Sequence, residues 1–452
     1  MTDANTGVVE QLRAVLDDNA IHIEQDDFLP EVILKPGSTE QVAAILRICN
    51  EAGQAVVPIG GKSGLVNGHW KTNGEIGLSL ERMNAIEEID SANSTMTVQA
   101  GCILQVAQEA AEENNLLLPL DFGARGSATI GGNVATNAGG NMVIRYGMVR
   151  EMVLGLEVVL ADGTVISDLN KMLKNNTGYD IKQWFIGAEG TLGIVTRVVL
   201  RLRPLPASQN TALLALDDFP SVIKLLRYLD GHTAGTLCAY EVMWPEFYDY
   251  LTREGGNHRP PLPTGSAYYV LVETRGSEPA SDAERFETVL GGAMEEGLLS
   301  DAVLTHSQAE RNALWEIRDD VLDFFNLGPF IPFDVSIPLD HMETFVEELR
   351  SQADEIPEQI CVLFGHLGDC NLHVMLGSRN PEAFDPAQVS EIVYGTTERH
   401  HGSVSAEHGI GLAKREHLPR SRSPEELALM RSLKGLMDPR NILNPDKIFV
   451  AE

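Results

Sequence analysis

The chain has little of several features that mark specialised classes of protein. No apolar run approaches the roughly 20 residues that a transmembrane helix needs, so no membrane span is expected. Residues 1–18 contain neither a basic segment followed by an apolar core nor an arginine-rich leader, which favours a cytoplasmic protein. Cysteines are few and show no CxxC spacing, so free thiols in a reducing compartment are expected. They are Cys49, Cys102, Cys238, Cys361 and Cys370.

Basic side chains are also scarce. The 452 residues include 34 Lys and Arg against 65 Asp and Glu, a formal net charge of −31. Such a charge repels nucleic acid and anionic lipid, so neither is an expected partner. A small anionic substrate would need positive charge placed locally. A length of 452 residues predicts two or three domains, and a content of 43% hydrophobic residues indicates a folded protein.

Glycine, in contrast, is concentrated in residues 119–147. Glycine lets backbone N–H groups approach a ligand closely and adopts positive φ without strain. A long glycine-rich loop in a compact domain is usually functional, so this stretch predicts a cradle for a large anionic cofactor. Ile130, Val134 and Met142, and the apolar residues 152–160, argue against a flexible linker. The glycines are Gly123, Gly126, Gly131, Gly132, Gly139, Gly140 and Gly147.

Two further glycine turns stand before or after predicted strands. Residues 58–68, PIGGKSGLVNG, contain GGKS, but Val56 stands where the nucleoside-triphosphatase motif needs its first glycine. Residues 187–193 form the other turn and precede a strong β run. The loop at 58–68 is therefore not a nucleoside-triphosphatase motif, and the roles of both turns depend on the family resemblance described below.

The remaining pattern is that of a mixed protein. We predict a leading helix over residues 5–20, a helix over 41–53 that ends at Gly53, and a hairpin around Asp162 and Gly163. The central stretch 119–147 shows no helical periodicity. From residue 211, strands alternate with amphipathic helices, which is typical of a sheet covered by helices on one side.

A possible metal site lies in residues 361–376, where two apolar strands flank a turn. His366 ends the first strand and His373 begins the second, so both rings can meet across the turn. Glu407 and His408 follow on another glycine-bounded loop. Two histidines and a carboxylate suit Zn²⁺ or a similar ion with positions left open for substrate.

Arg318 is the candidate for binding a substrate carboxylate, because a guanidinium fits a carboxylate through two parallel hydrogen bonds. It lies on a predicted helix ahead of a strand. From composition alone, a surface arginine paired with Asp319 or Glu316 is as good an interpretation.

The glycine-rich stretch closely resembles the FAD-binding segment of the vanillyl-alcohol-oxidase-like flavoproteins. Within them it is most similar to the D-2-hydroxyacid dehydrogenase branch, which includes D-lactate dehydrogenase, the glycolate oxidase flavin subunit and D-2-hydroxyglutarate dehydrogenase. The resemblance extends, with gaps, over nearly the whole chain. It implies an α+β protein with a PCMH-type FAD-binding domain of two α/β subdomains over residues 1–205. A cap domain with an antiparallel sheet covered by helices would span 206–400, and residues 401–452 would return to the FAD domain.

The resemblance also implies the FAD contacts. Lys62 stands where covalent members of the group have histidine, so FAD should be bound non-covalently. The implied cofactor-binding residues are Pro58, Gly60, Gly61, Lys62, Ser63, Gly64, Leu65, Pro119, Leu120, Asp121, Gly123, Ser127, Gly131, Gly132, Asn133, Thr136, Asn137, Gly140, Tyr146, Gly147, Glu189, Gly193, Ile194 and Asn444.

The same resemblance assigns His366, His373 and Glu407 as metal ligands and His408 as the catalytic base, with Arg318 as a carboxylate contact. Cys370 stands where the family usually has glycine. Hydroxyglutarate enzymes carry lysine, asparagine and threonine where this chain has Pro332, Met375 and Leu322. A second substrate carboxylate would be costly to bury there without a partner. The residues implied around the substrate are Arg318, Leu322, Phe333, Met375 and His408.

These residues imply an FAD- and metal-dependent oxidation of a D-2-hydroxy acid to the 2-oxo acid, with hydride passing to flavin N5. The predicted substrate is an apolar monocarboxylate such as D-lactate, a longer D-2-hydroxy acid or D-mandelate. Electrons would pass to an external acceptor, namely an electron-transfer flavoprotein, a quinone or a cytochrome, and the resemblance implies a homodimer. The alternatives are a D-2-hydroxyglutarate dehydrogenase, an oxygen-using oxidase, a zinc hydrolase and a non-catalytic flavin-binding subunit.

Overall fold

The computed structural model describes residues 3–450, with side chains from residue 7. The chain divides into two units. The first contains Met1–Gly140, Gly147–Leu205 and Glu407–Glu452, and the second contains Asn141–Tyr146 and Pro206–Ala406. Among the described residues, no helix has both the length and the apolar character needed to cross a bilayer.

Helices and strands are mixed along the chain, as the α+β prediction requires. The helices are α1 (Asp3–Leu12), α2 (Thr39–Ala52), α3 (Leu104–Glu113), α4 (Ile130–Thr136), α5 (Val143–Tyr146), α6 (Val149–Met152), α7 (Phe219–His232), α8 (Pro245–Leu251), α9 (Pro279–Glu295), α10 (Gln308–Asp319), α11 (Met342–Ala353), α12 (Pro386–Arg399) and α13 (Pro424–Met437). The strands are β1 (Ile21–Ile23), β2 (Val32–Leu34), β3 (Val56–Ile59), β4 (Ile76–Ser79), β5 (Ile86–Asp90), β6 (Thr95–Gln99), β7 (Leu116–Leu117), β8 (Val153–Val159), β9 (Val165–Asp168), β10 (Ile194–Arg201), β11 (Arg203–Pro204), β12 (Ser208–Leu216), β13 (Leu237–Met243), β14 (Tyr268–Gly276), β15 (Asp301–Leu304), β16 (Phe330–Ser336), β17 (Gln359–His366) and β18 (Asn371–Ser378).

The first unit contains two main sheets. One has the strand order β1-β2-β4-β3, with β2, β4 and β3 parallel, and the other has the order β5-β6-β10-β8-β9 with antiparallel neighbours. The predicted hairpin around Gly163 joins β8 and β9. Helix α2 begins after Ser38, which accepts from the Gln41 N–H, and ends at Gly53, whose φ of 65° is left-handed. Both ends follow the capping rules that predicted this helix.

Two helix predictions in this unit need correction. The glycine-rich stretch contains a short helix, α4, which begins where the Thr129 side chain accepts from the Gly132 N–H and ends at Asn137 with φ 50°. This helix is only seven residues long, which is too short to show an amphipathic period in the sequence. The leading helix ends at Leu12, well short of residue 20, since Asp18–Ala20 form a 3-10 turn that leads into β1.

The C-terminal residues 442 and 443 are part of the core of the first unit. Ile442 and Leu443 are 1% and 0% exposed and pack among the buried residues around Val56. The Val56 N–H donates to the Ile442 carbonyl, and Val56 forms a parallel bridge with Leu443. This pairing holds the following residue, Asn444, in a fixed position.

The second unit is built on a seven-stranded antiparallel sheet of order β15-β12-β14-β13-β17-β18-β16. Successive side chains along a strand point to opposite faces. Tyr240 and Phe333 contact α7 and α12 on one face, and Glu241 and Phe364 contact α10 and α8 on the other. The prediction of helices on one side was therefore incomplete, since the residues around the candidate site are covered from the second face.

A short part of the glycine-rich stretch also packs in the second unit. Arg145 of α5 donates to the Thr236 carbonyl, at 3.4 Å, and its guanidinium lies over the Tyr146 ring at 5.1 Å. A Cβ on Gly368 would lie 2.5 Å from the Ile144 side chain, so this glycine permits the close packing of α5.

Candidate active site

The first unit contains a cleft of about 1170 Å³ of empty space, part of it open to solvent. Three glycine-rich segments line it: the loop after β3, the start of α4 and the turn before β10. A Cβ on Gly61 would lie 2.7 Å from the Ser127 carbonyl carbon, and a Cβ on Gly193 would lie 2.6 Å from the Val158 side chain. Only glycine permits these approaches, so the backbone itself forms the wall of the cleft.

Two buried polar atoms belong to residues that line this cleft. Asn133 Nδ2 and Asn444 Oδ1 have no hydrogen-bond partner among the residues that the structure describes. An unpaired buried donor or acceptor costs free energy unless a ligand or water satisfies it. FAD offers acceptors and donors in its pyrophosphate and isoalloxazine groups, so these two side chains fit that cofactor.

Many of the predicted cofactor-binding residues line the cleft. They are Pro58, Gly60, Gly61, Lys62, Ser63, Gly64, Gly131, Gly132, Asn133, Thr136, Glu189, Gly193, Ile194 and Asn444. The others lie outside its lining: Leu65, Pro119, Leu120, Asp121, Gly123, Ser127, Asn137, Gly140, Tyr146 and Gly147. Tyr146 belongs to the second unit. The FAD contacts of both groups stay predictions.

Sequence reasoning missed several lining residues, among them His69, Ser79 and Gly101. Burial and the nearby Lys62 charge lower the pKa of His69. Ser79 ends β4 and Gly101 follows β6, so both stand where a strand reaches the cleft. The position of Gly101, shortly after the buried strand β6, was a signal available in the sequence. The structure shows why glycine is needed there: a Cβ would meet backbone atoms of Leu80 and Met83.

Glu189 ties the C-terminal segment to this cleft. Its carboxylate accepts from the N–H groups of Ile410 and Gly411, both at 2.7 Å, and its carbonyl accepts from Asn444 Nδ2 at 2.7 Å. Burial raises the pKa of Glu189, although both N–H groups and Lys414 act to lower it. A Cβ on Gly409 would lie 2.8 Å from the Glu189 carboxylate, which explains a glycine in the segment after His408.

In the second unit, the strand register brings the predicted histidines together. Glu241 pairs with His366, and His373 pairs with Phe364 on one side and Asp334 on the other. Directly paired residues share a face of the sheet, so these side chains point the same way. The rings of His366 and His373 lie edge to face with centroids 5.3 Å apart.

Arg318 is buried, at 5% exposure, and its main partner is Glu241, which the sequence did not indicate. Arg318 Nε donates to Glu241 Oε2 at 2.8 Å, and Asp319 Oδ1 lies 3.7 Å from Nη1. The guanidinium also lies 4.9 Å from the centre of the Phe364 ring, a favourable cation–π geometry. The interpretation of Arg318 as a surface residue is therefore wrong.

Glu241 also fixes the ring orientation and tautomer of His366. The other Glu241 oxygen, Oε1, lies 2.6 Å from His366 Nδ1, and Arg318 Nη2 lies 3.2 Å from His366 Nε2. Because a guanidinium only donates, Nε2 carries the lone pair and Nδ1 carries the proton. Burial alone would raise the pKa of Glu241, but His366 and Arg318 outweigh it and hold the pKa at about 2. Glu241 therefore accepts from both neighbours as a carboxylate.

The residues predicted around the substrate differ in their burial and in the face of the sheet on which they lie. Met375 is buried on the same face as His373, two residues further along β18, and Leu322 is 71% exposed. Phe333 does not belong to this site, and its assignment to the substrate pocket was wrong. It precedes Asp334 and therefore points to the opposite face, where it is 2% exposed against the Tyr394 ring of α12.

Glu407 and His408 lie at the start of the last segment of the first unit. A Cβ on Gly139 would lie 2.5 Å from Glu407 Oε1, so this glycine leaves room for the carboxylate. His366 and His373, by contrast, lie in the second unit. The assignment of Glu407 as the third metal ligand, and of His408 as the base, stays a prediction.

Two buried carboxylates, Glu241 and Asp334, are the residues that sequence reasoning missed in the second unit. Asp334 accepts from Asn371 Nδ2 at 2.8 Å and from the Ala406 N–H at 3.1 Å. Glu241 and Asp334 both lie inside strands that are otherwise almost entirely apolar. A lone carboxylate in a buried strand is rare unless it is paired, and this signal was available in the sequence.

Comparison with known proteins agrees with the cleft and the sheet. Residues 30–168 match the family described as an FAD binding domain, and residues 205–448 match the C-terminal domain of the FAD-linked oxidases. The chain therefore belongs to the FAD-linked oxidase family, and the predicted FAD cofactor and α+β fold are confirmed.

Relatives within the family cover most of this chain. The mitochondrial D-2-hydroxyglutarate dehydrogenase of Bos taurus is 41% identical over 92% of this chain and 76% of its own length. The D-2-hydroxyglutarate dehydrogenase of Xanthomonas citri pv. viticola is 40% identical over 93% of this chain and 89% of its own. A protein of Schizosaccharomyces pombe that is 36% identical, over 92% of this chain and 81% of its own, is named as a candidate D-lactate dehydrogenase.

Among solved structures, p-cresol methylhydroxylase with substrate bound is similar over 100% of this chain and 98% of its own, with a TM-score of 0.78. The 4-ethylphenol oxidase of Gulosibacter chungangensis has a TM-score of 0.76 over 100% of this chain and 98% of its own. Their sequence identities are 19% and 17%, so these structures show the fold alone.

Proposed function

We propose that this protein oxidises a D-2-hydroxy acid to the 2-oxo acid, using FAD and a divalent ion, Zn²⁺, held by His366, His373 and Glu407. The observation that carries the proposal is the group formed by His366, His373 and the buried Arg318 on one face of the second unit. It combines two imidazole ligands with a cation suited to a carboxylate. The relatives named D-2-hydroxyglutarate dehydrogenase and D-lactate dehydrogenase support the same class.

The order of the chain supports Glu407 as the third ligand. The Ala406 N–H donates to Asp334, the strand partner of His373, and Glu407 is the next residue in the sequence. Two histidines and one carboxylate form a common open Zn²⁺ site, in which the remaining positions accept substrate oxygen atoms.

The roles of the side chains follow from their chemistry. Arg318 binds the substrate carboxylate, because a guanidinium has five N–H donors and Glu241 engages the Nε–H. The Nη2 group, which lies 3.2 Å from His366 Nε2 in this structure, would turn to the substrate when that nitrogen binds the ion. His408 accepts the hydroxyl proton as general base. When bound, the divalent ion would make the substrate hydroxyl more acidic, and FAD would supply the acceptor for the hydride.

The side chain of the substrate is proposed to be apolar. Pro332 and Met375, which replace lysine and asparagine of the hydroxyglutarate enzymes, are direct partners across β16 and β18. The two replacements therefore change one place on the sheet face that carries His373. A substrate carboxylate placed there would lose water without gaining a cation, which favours D-lactate, a longer D-2-hydroxy acid or D-mandelate.

A second candidate substrate is D-2-hydroxyglutarate, favoured by the names of the Bos taurus and Xanthomonas relatives. A panel of D-lactate, D-mandelate, D-malate and D-2-hydroxyglutarate separates the two. A clear preference for either dicarboxylate would contradict the apolar pocket, while leaving the class of reaction unchanged.

The experiment that tests the class is anaerobic mixing of the purified yellow protein with matched D- and L-2-hydroxy acids, followed by absorbance near 450 nm. We expect bleaching with a D-acid and none with its L-enantiomer. Protein that is treated with a chelator should keep its yellow colour and no longer bleach until Zn²⁺ is restored. Persistent colour with every acid would exclude a hydroxyacid dehydrogenase.

Four further properties are part of the proposal. FAD is non-covalent, so acid precipitation should release all the flavin into the supernatant. Electrons leave to an external acceptor such as an electron-transfer flavoprotein, a quinone or a cytochrome, so hydrogen peroxide formation should be slow compared with dye reduction. A homodimer and a cytoplasmic location stay predictions; the Bos taurus relative is named as mitochondrial.

A further inference from the structure

Glu241 is a buried charge in an apolar strand. Every residue of β13, Leu237–Met243, is buried, and Glu241 is 1% exposed. Removing a carboxylate from water costs several kcal/mol unless it is paired and fully hydrogen-bonded. A carboxylate retained here must therefore have compensating partners.

Those partners are two residues with different predicted tasks. Glu241 Oε2 accepts from Arg318 Nε at 2.8 Å, and Oε1 accepts from His366 Nδ1 at 2.6 Å. A third contact, 3.2 Å between Arg318 Nη2 and His366 Nε2, closes a triangle of side chains formed by Glu241, Arg318 and His366. Helix α10 supplies the arginine, while β13 and β17 supply the other two residues in direct register.

We infer that Glu241 is a positioning residue that couples metal binding to substrate binding. It holds His366 in the tautomer whose Nε2 carries the lone pair, and it orients the Arg318 guanidinium from the same carboxylate. This inference rests on the proposed function, since it assigns a shared support to a predicted metal ligand and a predicted carboxylate contact. It adds a residue that touches neither the substrate nor the ion.

The chemistry of the triangle requires a carboxylate. Its two oxygens accept from two donors, Arg318 Nε–H and His366 Nδ1–H. The amide of glutamine has one oxygen and one NH₂ group, so it would turn a donor towards one of these partners. Glu241→Gln should therefore release either the imidazole or the guanidinium, although the side chains are nearly the same size.

The chain offers a matched control on the same sheet. Glu273 of β14 is also 1% exposed and also contacts α10, through Trp315 Nε1 at 2.9 Å. Its other side-chain partners are Arg275, Gln209, Thr211 and Cys238, with no contact to His366 or Arg318 among its described hydrogen bonds. Glu273→Gln thus reproduces the loss of a buried charge without touching the triangle.

The test uses FAD-loaded protein that has been stripped of metal with a chelator and then titrated with Zn²⁺ and, separately, Co²⁺. Loss of a residue that orients a metal-binding histidine typically costs about 10–100-fold in metal affinity. We expect that loss in Glu241→Gln and a change of less than about threefold in Glu273→Gln, whatever the two substitutions do to Tm. The Co²⁺ absorption bands should shift only in Glu241→Gln.

A second readout separates substrate binding from metal binding. At saturating metal, KM for D-lactate and for D-2-hydroxyglutarate should rise at least about tenfold in Glu241→Gln, because Arg318 loses its orientation. Glu241→Asp keeps both acceptor oxygens on a shorter stem and should recover part of both losses. It also provides a folded variant if Glu241→Gln is unstable.

The outcomes distinguish the two proposals. If wild-type protein binds neither Zn²⁺ nor Co²⁺, the proposed metal-dependent function fails, and this inference fails with it. If wild-type protein binds metal and oxidises a D-acid while both glutamine variants match it in metal affinity and KM, only the role of Glu241 is overturned. Equal losses in Glu241→Gln and Glu273→Gln would likewise overturn it, since they would reflect general damage to the sheet.

Discussion

Replacing Gly61 by alanine tests whether backbone contact forms the wall of the FAD cleft. A Cβ at this position would lie 2.7 Å from the Ser127 carbonyl carbon and 2.9 Å from Ala128 Cα, with the Ser127 oxygen closer still. All three are backbone atoms, so no flexible side chain can move aside. The loop after β3 and the segment before α4 must separate.

The magnitude follows from the general cost of overpacking. One extra methyl group in a close-packed region costs about 1–3 kcal/mol. If the full cost falls on cofactor binding, FAD affinity should decrease roughly 5–150-fold, because each 1.4 kcal/mol is tenfold. If the apoprotein carries part of the strain, a lower Tm should account for the remainder.

The assay is titration of apoprotein with FAD, followed by quenching of flavin fluorescence, together with thermal unfolding of the apoprotein. Gly435→Ala is the matched control, because Gly435 lies in α13 of the same unit, outside the cleft lining, has no positive φ, and its Cβ would meet nothing within 4 Å. It should bind FAD like the wild type. Wild-type affinity and Tm in Gly61→Ala would refute the reasoning.

Three other predictions concern the second unit. His373→Ala should keep FAD but lose metal and reduction by substrate, and an unchanged rate of flavin bleaching would remove it from the metal site. Phe333→Ala should lower the free energy of unfolding by about 3–5 kcal/mol in denaturant titration, because its ring packs on Tyr394 on the opposite face of the sheet. KM should stay unaltered in the folded protein, and a raised KM would return Phe333 to the substrate pocket. Cys370→Gly should raise stability by about 1 kcal/mol, since Cys370 has φ 69°, where glycine is unstrained; a lower Tm would contradict this.

The glycine loops and the histidine turn could be predicted from the sequence because both depend on local chemistry. Gly61 and Gly193 stand where a Cβ would strike a neighbouring segment, and their spacing is visible in the chain. His366 and His373 flank a single turn, so their approach requires only a hairpin. Residue type and local spacing were enough to single out these positions, although the segments that the two glycines approach, at Ser127 and Val158, were not visible in the sequence.

Contacts between distant segments could not be predicted in the same way. Glu241 and Arg318 are 77 residues apart, and only the order of strands in the sheet and the packing of α10 bring them together. Phe333 was misplaced because a shift of one residue along a strand reverses the face of a side chain. Its closeness in sequence to Pro332, which lies on the face of His373, therefore gave the wrong face.

The pairing of Val56 with residues 442 and 443 has a consequence for biosynthesis. The ribosome makes Pro206–Ala406 before it makes the segment that completes the core around Val56. While the second unit is being synthesised, Val56 and its apolar neighbours therefore lack the packing that residues 442 and 443 provide. The core around Val56 is completed only after residues 442 and 443 have left the ribosome.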